Sequence, residues 1–73
     1  MKQYFFNIHI YYDDFLRVYQ GNAKNVVIKC DEGLIIQLPA HHFLPYVTQI
    51  GIRGRFILTT DNFNKFISLE KIV

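Results

Sequence analysis

Apolar and polar residues alternate with a period of two from Tyr4 to Ile10, with Phe6, Ile8 and Ile10 on one face and Phe5, Asn7 and His9 on the other. That is the repeat of a pleated strand, and its aromatic and β-branched residues favour extended backbone. At Tyr12 the repeat changes. Phe15, Leu16 and Tyr19 recur at helical spacing as far as Gln20, and Asp13 and Asp14 stand in the first turn, where carboxylates suit the helix dipole. Tyr12 occupies the place where a Ser or Asp cap is expected, so the helix is expected to start there or at Asp13. Gly21 followed by Asn22 marks its end.

The alternation then returns twice, over Lys24 to Cys30 and over Leu34 to Leu38. Asp31-Glu32-Gly33 between them predicts a tight hairpin, a type I turn with Gly33 left-handed. Val26, Ile28 and Cys30 are expected to share a buried face with Leu34, Ile36 and Leu38. Pro39 ends this strand because it has no N–H for the ladder. Ala40 to Leu44 predicts a single helical or 3₁₀ turn before Pro45, and Thr48 to Gly51 a loop. A fourth strand spans Ile52 to Thr60, with Ile52, Gly54, Phe56 and Leu58 on one face and Arg53, Arg55, Ile57 and Thr59 on the other. Gly54 within it predicts a bulge or sharp bend. Asp61-Asn62-Phe63-Asn64 turns the chain into a last strand, Lys65 to Ile72.

This order predicts a β-dominated α+β domain. Its core is a five-stranded, strongly bent antiparallel sheet, or a small partly open barrel, with one short helix after the first strand. No repeat or linker divides the chain, so residues 1–73 are expected to form a single domain.

Composition adds two constraints. Hydrophobic residues make up 51% of the chain, with 7 Phe and 5 Tyr, which supports a real core and argues against disorder. So small a domain has little interior for that many aromatics, and Tyr4, Phe5, Tyr11, Tyr12, Phe43, Tyr46 and Phe63 are candidates for an interface. The net charge of +2 falls far short of a dedicated nucleic-acid binder. A single cysteine, Cys30, excludes a disulfide within the chain and points to a reducing compartment. With no signal peptide or membrane span in view, a cytoplasmic location is expected and a membrane partner is not.

Several short strings carry a resemblance across nearly the whole chain: Phe15-Leu16 with Tyr19-Gln20-Gly21, Asp31-Glu32-Gly33, Leu38-Pro39-Ala40, Gly51-Ile52-Arg53-Gly54-Arg55-Phe56 and Phe66-Ile67-Ser68-Leu69. In their order and spacing the chain resembles a family of short, uncharacterised proteobacterial proteins, a domain of unknown function. The resemblance implies a free-standing bacterial protein. It transfers no catalytic or binding residue.

Candidate chemistry is sparse. His9, His41, His42 and Cys30 are the only set resembling metal ligands, and no spacing among them matches a zinc motif. Cys30 alternates with Val26 and Ile28, which predicts an inert core thiol rather than a nucleophile. Asp13-Asp14 reads as a helix start and Asp31-Glu32 as a turn. Gly51-Ile52-Arg53-Gly54 runs into a strand rather than opening a helix, so it lacks the anion site of a phosphate loop. No catalytic residue, metal or cofactor is therefore expected. Arg53 and Arg55 share one face of the fourth strand, with Phe63 at the following turn and Lys65 across it, and these four are the candidate binding residues. Tyr and Arg are enriched at protein interfaces, and dimerisation relieves the thin stability of a small domain. A non-enzymatic accessory or regulatory domain that binds a protein partner, or a second copy as a homodimer, is the expected function. RNA or single-stranded DNA on the same basic and aromatic face is the alternative.

Overall fold

A computed structural model describes residues 1–21 and 24–73, which leaves Asn22 of the expected helix stop outside the described residues. The elements run β1 (Lys2–Tyr11), α1 (Tyr12–Gln20), β2 (Asn25–Lys29), β3 (Ile35–Pro39), a 3₁₀ helix (Ala40–Tyr46), β4 (Gly51–Thr60) and β5 (Phe66–Lys71). The fold is the expected β-dominated α+β arrangement, with all strand pairs antiparallel. The strands divide between two sheets, β1-β4-β5 and β2-β3, and no barrel closes.

The long pair is the frame. β1 and β4 run opposite each other from Lys2↔Thr60 to Tyr11↔Gly51 without a break, so the even-numbered residues of both turn one way. Phe6, Ile52, Phe56 and Leu58 on that face are fully buried. Phe6 and Phe56 stack at 5.7 Å, and Phe43 and Tyr46 of the 3₁₀ helix meet Phe56 edge-on at 5.8 and 5.2 Å. Burying rings of this size gives each about 2–3 kcal/mol of apolar transfer, which makes this cluster the main source of stability. Of the aromatics named as interface candidates, Phe43 is buried, carried inward by the 3₁₀ helix, which extends through Pro45. The Tyr46 hydroxyl donates to the Leu69 carbonyl at 2.6 Å.

Helix α1 begins at Tyr12 without a side-chain cap. Its first amide is met by tertiary structure instead, since the Tyr12 N–H donates to the Ile50 carbonyl at 3.1 Å. Phe15 is its one buried residue.

The β2–β3 hairpin forms as predicted. The Gly33 N–H donates to Cys30 O and the Cys30 N–H to Leu34 O, both at 2.9 Å, with Gly33 at φ +91°. Val26, Ile28, Cys30 and Leu38 are buried and Ile36 half-buried. Leu34 departs from expectation: at the mouth of the turn it lies beyond the reach of the core and is 50% exposed. The bulge expected at Gly54 is also displaced. Gly54 pairs in register with Ile8, and the irregularity lies at Thr59/Thr60 against β5. A Cβ at Gly54 would sit 2.6 Å from the Val73 carbonyl, so this glycine admits the C-terminal segment rather than a bend.

One backbone bond, Asp31 N–H to Phe5 O at 2.9 Å, brings the outer side of the β2–β3 hairpin against β1. The two sheets meet at this turn residue, and among the described residues β2 makes no ladder with β1. β3 is thus the outer edge of its own two-stranded sheet, as β5 is of the three-stranded one.

Candidate interaction surface

Each of the four candidate residues is solvent-facing or nearly so, but they occupy two ends of the molecule. Arg53 is exposed opposite His9, and Arg55 is half-buried opposite Asn7. Phe63, 85% exposed, lies in the β4–β5 turn with Lys65. Thr60 lies five residues along β4 from Arg55, which is about 17 Å at the usual rise of about 3.4 Å per residue. The structure therefore groups Arg53 with Arg55 and Phe63 with Lys65, and separates the two pairs.

Arg55 is also engaged. Its guanidinium forms a bidentate ion pair with Asp31, reaches Asn7 Oδ1 at 3.3 Å and lies 5.7 Å from the centre of the Phe5 ring. The hydrogen bond to Arg55 holds the Asp31 carboxyl below the usual carboxylate range, and the same bond raises the Arg55 guanidinium. Asp31 and Asn7 are the partners that the sequence did not reveal, because the contact joins a turn to a strand 24 positions away. Arg53 has no such partner among the described residues.

The histidines and the thiol do not converge. His9 packs on Tyr11, while His41 and His42 adjoin each other at 4.1 Å on the 3₁₀ helix and His42 stacks on Phe66 at 3.7 Å. Burial, and then the neighbouring His41, push the His42 imidazole down from its ordinary pKa. Among the described residues no group of three or more His, Cys, Asp or Glu side chains could hold a metal. Cys30 is buried, and its pKa is raised by desolvation and then by Glu32 and Asp31, which leaves the unreactive thiol form dominant near neutrality.

A mainly apolar groove lies elsewhere. It has a volume of about 350 Å³ and runs between β3 and the start of β5, lined by Leu34, Ile36, Leu38, Tyr4, Leu58 and Phe66 among others. It is the seam where a barrel would close. Along its rim β3 presents an open edge. Cys30 bonds Leu34, and Ala40 N–H donates to Lys24 O at 2.7 Å, so the bonded pairs of this hairpin fall on even-numbered residues. The N–H and C=O groups of Ile35 and Gln37 consequently point away from β2, and neither has a backbone partner among the described residues. The edge carries no charge from Leu34 to Leu38, and Ile35 is 64% exposed. Natural edges are ordinarily blunted by Lys, Pro or a bulge, and here only the terminal Pro39 serves that end. That uncharged run was the one sequence signal available for the surface.

A small, open, antiparallel α+β domain with an unprotected edge is the class that this geometry defines. The chain belongs to the family described as Protein of unknown function (DUF2835), which matches residues 2–72. Neither a curated protein nor a solved structure matches it. No helix among the described residues is long and apolar enough to cross a membrane.

Proposed function

We propose that this domain is a non-catalytic protein-binding module that accepts an extended chain along β3. The observation that carries this reading is the uncharged edge from Leu34 to Leu38, with the backbone of Ile35 and Gln37 unpaired beside an apolar groove. Strand addition draws affinity from such main-chain groups and specificity from the alternate side-chain positions. The Arg53–Arg55 face supports binding less well, because Asp31 already neutralises Arg55.

A photo-reactive residue at position 35 tests the reading in cells. Discrete protein adducts at position 35, absent from a matched probe at Glu70, support it. Adducts to nucleic acid, or equal labelling at both positions, contradict it.

Exposed Arg53 beside His9 favours a second reading, single-stranded nucleic acid across β4. That reading requires steeply salt-dependent binding that Arg53→Glu abolishes. With Arg55 engaged, we expect affinity for mixed oligonucleotides no tighter than about 10⁻⁴ M at physiological salt, measured by fluorescence anisotropy.

A further inference from the structure

We infer that the occupant of the β3 edge is β3 of a second copy, paired antiparallel across a two-fold axis at Ile36. The inference rests on the reading of β3 as a protein-binding edge and adds the identity of the partner.

Register follows from which groups are free. Ile35 and Gln37 are the residues whose N–H and C=O point outward from β2. An antiparallel partner must bond to these two and to no others nearby, since Leu34, Ile36 and Leu38 are spent on β2. A two-fold axis at Ile36 places Ile35 opposite Gln37 of the second copy and Gln37 opposite its Ile35. Each such pair exchanges both backbone hydrogen bonds, and Ile36 meets its own symmetry mate in the close, non-bonded position. The next outward residue, Pro39, would face Gly33 of the second copy. Neither has an N–H to offer there, because proline has none and Gly33 N–H is held by Cys30 O. The pairing therefore stops where the backbone stops needing it.

Side chains agree with this register. Leu34, Ile36 and Leu38 would meet Leu38, Ile36 and Leu34 of the second copy, all aliphatic, on the face that lines the groove. Leu34, 50% exposed in the single chain, gains an apolar neighbour in Leu38. On the outer face Ile35 meets Gln37, with no like charges opposed.

Charge favours the antiparallel direction. Exposed Glu32 lies at the turn, with Lys29 beside it and Asp31 paired to Arg55, and exposed Lys24 lies at the open end of the hairpin. Glu32 has no ion pair among the described residues. Antiparallel pairing brings Glu32 of each copy toward the Lys24 end of the other, twice by symmetry. Parallel pairing would set Glu32 against Glu32. A second copy thus supplies the free backbone, the apolar face and the opposite charge together, as an isologous interface requires.

Sedimentation of the wild-type chain to about 500 µM, where even a Kd of about 1 mM is visible, reads the association directly. Gln37→Pro removes an N–H that β2 does not use, so the hairpin persists, as circular dichroism will verify, and dimerisation weakens by at least about tenfold. Ile36→Cys under mild oxidation gives a disulfide-linked dimer, because close antiparallel pairs lie about 4.5 Å apart at Cα, within disulfide range. Ile35→Cys does not, because its symmetry mate is a diagonal neighbour at about 7–8 Å. A monomer at every concentration, a dimer indifferent to Gln37→Pro, or Ile35→Cys crosslinking as fast as Ile36→Cys overturns the inference. If a monomeric chain nonetheless forms adducts with other proteins at position 35, strand addition stands and self-pairing alone fails.

Discussion

Gly51 sits where the chain enters β4 at φ +125°, and a Cβ there would run into the Ile10 carbonyl and lie 2.8 Å from the Tyr12 amide nitrogen. Both neighbours are backbone and cannot swing aside. Gly51→Ala is therefore expected to cost at least about 2 kcal/mol, from strained backbone and contact together, seen as a lowered urea midpoint. Cys30 offers a milder probe at the same scale. Buried and with its pKa raised, its thiol should react with a disulfide reagent at pH 8 at least about 100-fold more slowly in the folded chain than in denaturant. Comparable rates in the two states would show that the β2–β3 hairpin opens readily from the rest of the fold.

Two contacts, both at Asp31, hold that hairpin to the larger sheet at its turn end: the backbone bond to Phe5 and the ion pair to Arg55. Asp31 has a folded pKa below its unfolded value of about 4, so the stability it adds is present above that pH and disappears as pH falls through the lower folded value. Asp31→Asn is expected to flatten the acid side of the stability profile below about pH 4 and to leave the profile above pH 6 parallel to wild type, measured by thermal melts. The pair is solvent-exposed and salt screens it, so its loss should shrink at high ionic strength. Elements of this size were legible from periodicity. The β2–β3 turn announced itself in Asp31-Glu32-Gly33, and the β4 faces in their alternation. What periodicity could not carry was the partner of each strand. It says that Val26 and Ile28 face inward, but not that they pack in one core with Phe6 while, among the described residues, a single backbone bond to Phe5 links their hairpin to β1. Leu34 was misplaced, and Phe43 could not be singled out as buried, for the same reason: burial depends on which element lies opposite, and that is decided at long range.

Across the whole molecule, stability rests on the ring cluster of Phe6, Phe43 and Phe56, all fully buried. A domain of 73 residues has a total stability of roughly 4–11 kcal/mol at the usual per-residue range. Phe56→Ala, at about 3–5 kcal/mol, is expected to leave the chain largely unfolded at 37 °C by circular dichroism. The candidate surface was less legible than the core. Arg53 and Arg55 stood out by type, yet their meaning turned on Asp31, a turn residue remote in sequence. The exposed edge showed only as an absence of charge between Leu34 and Leu38, and its significance depends on β3 being the outer edge of its own two-stranded sheet. That central claim is tested most directly by backbone amide exchange at four consecutive residues of β3. If copies pair through this edge, Ile36 and Leu38 are protected at all concentrations by β2. Ile35 and Gln37 exchange freely when dilute and gain protection together as concentration rises. Free exchange of Ile35 and Gln37 at every concentration would contradict pairing between copies, and protection of both in dilute solution would contradict the open edge itself.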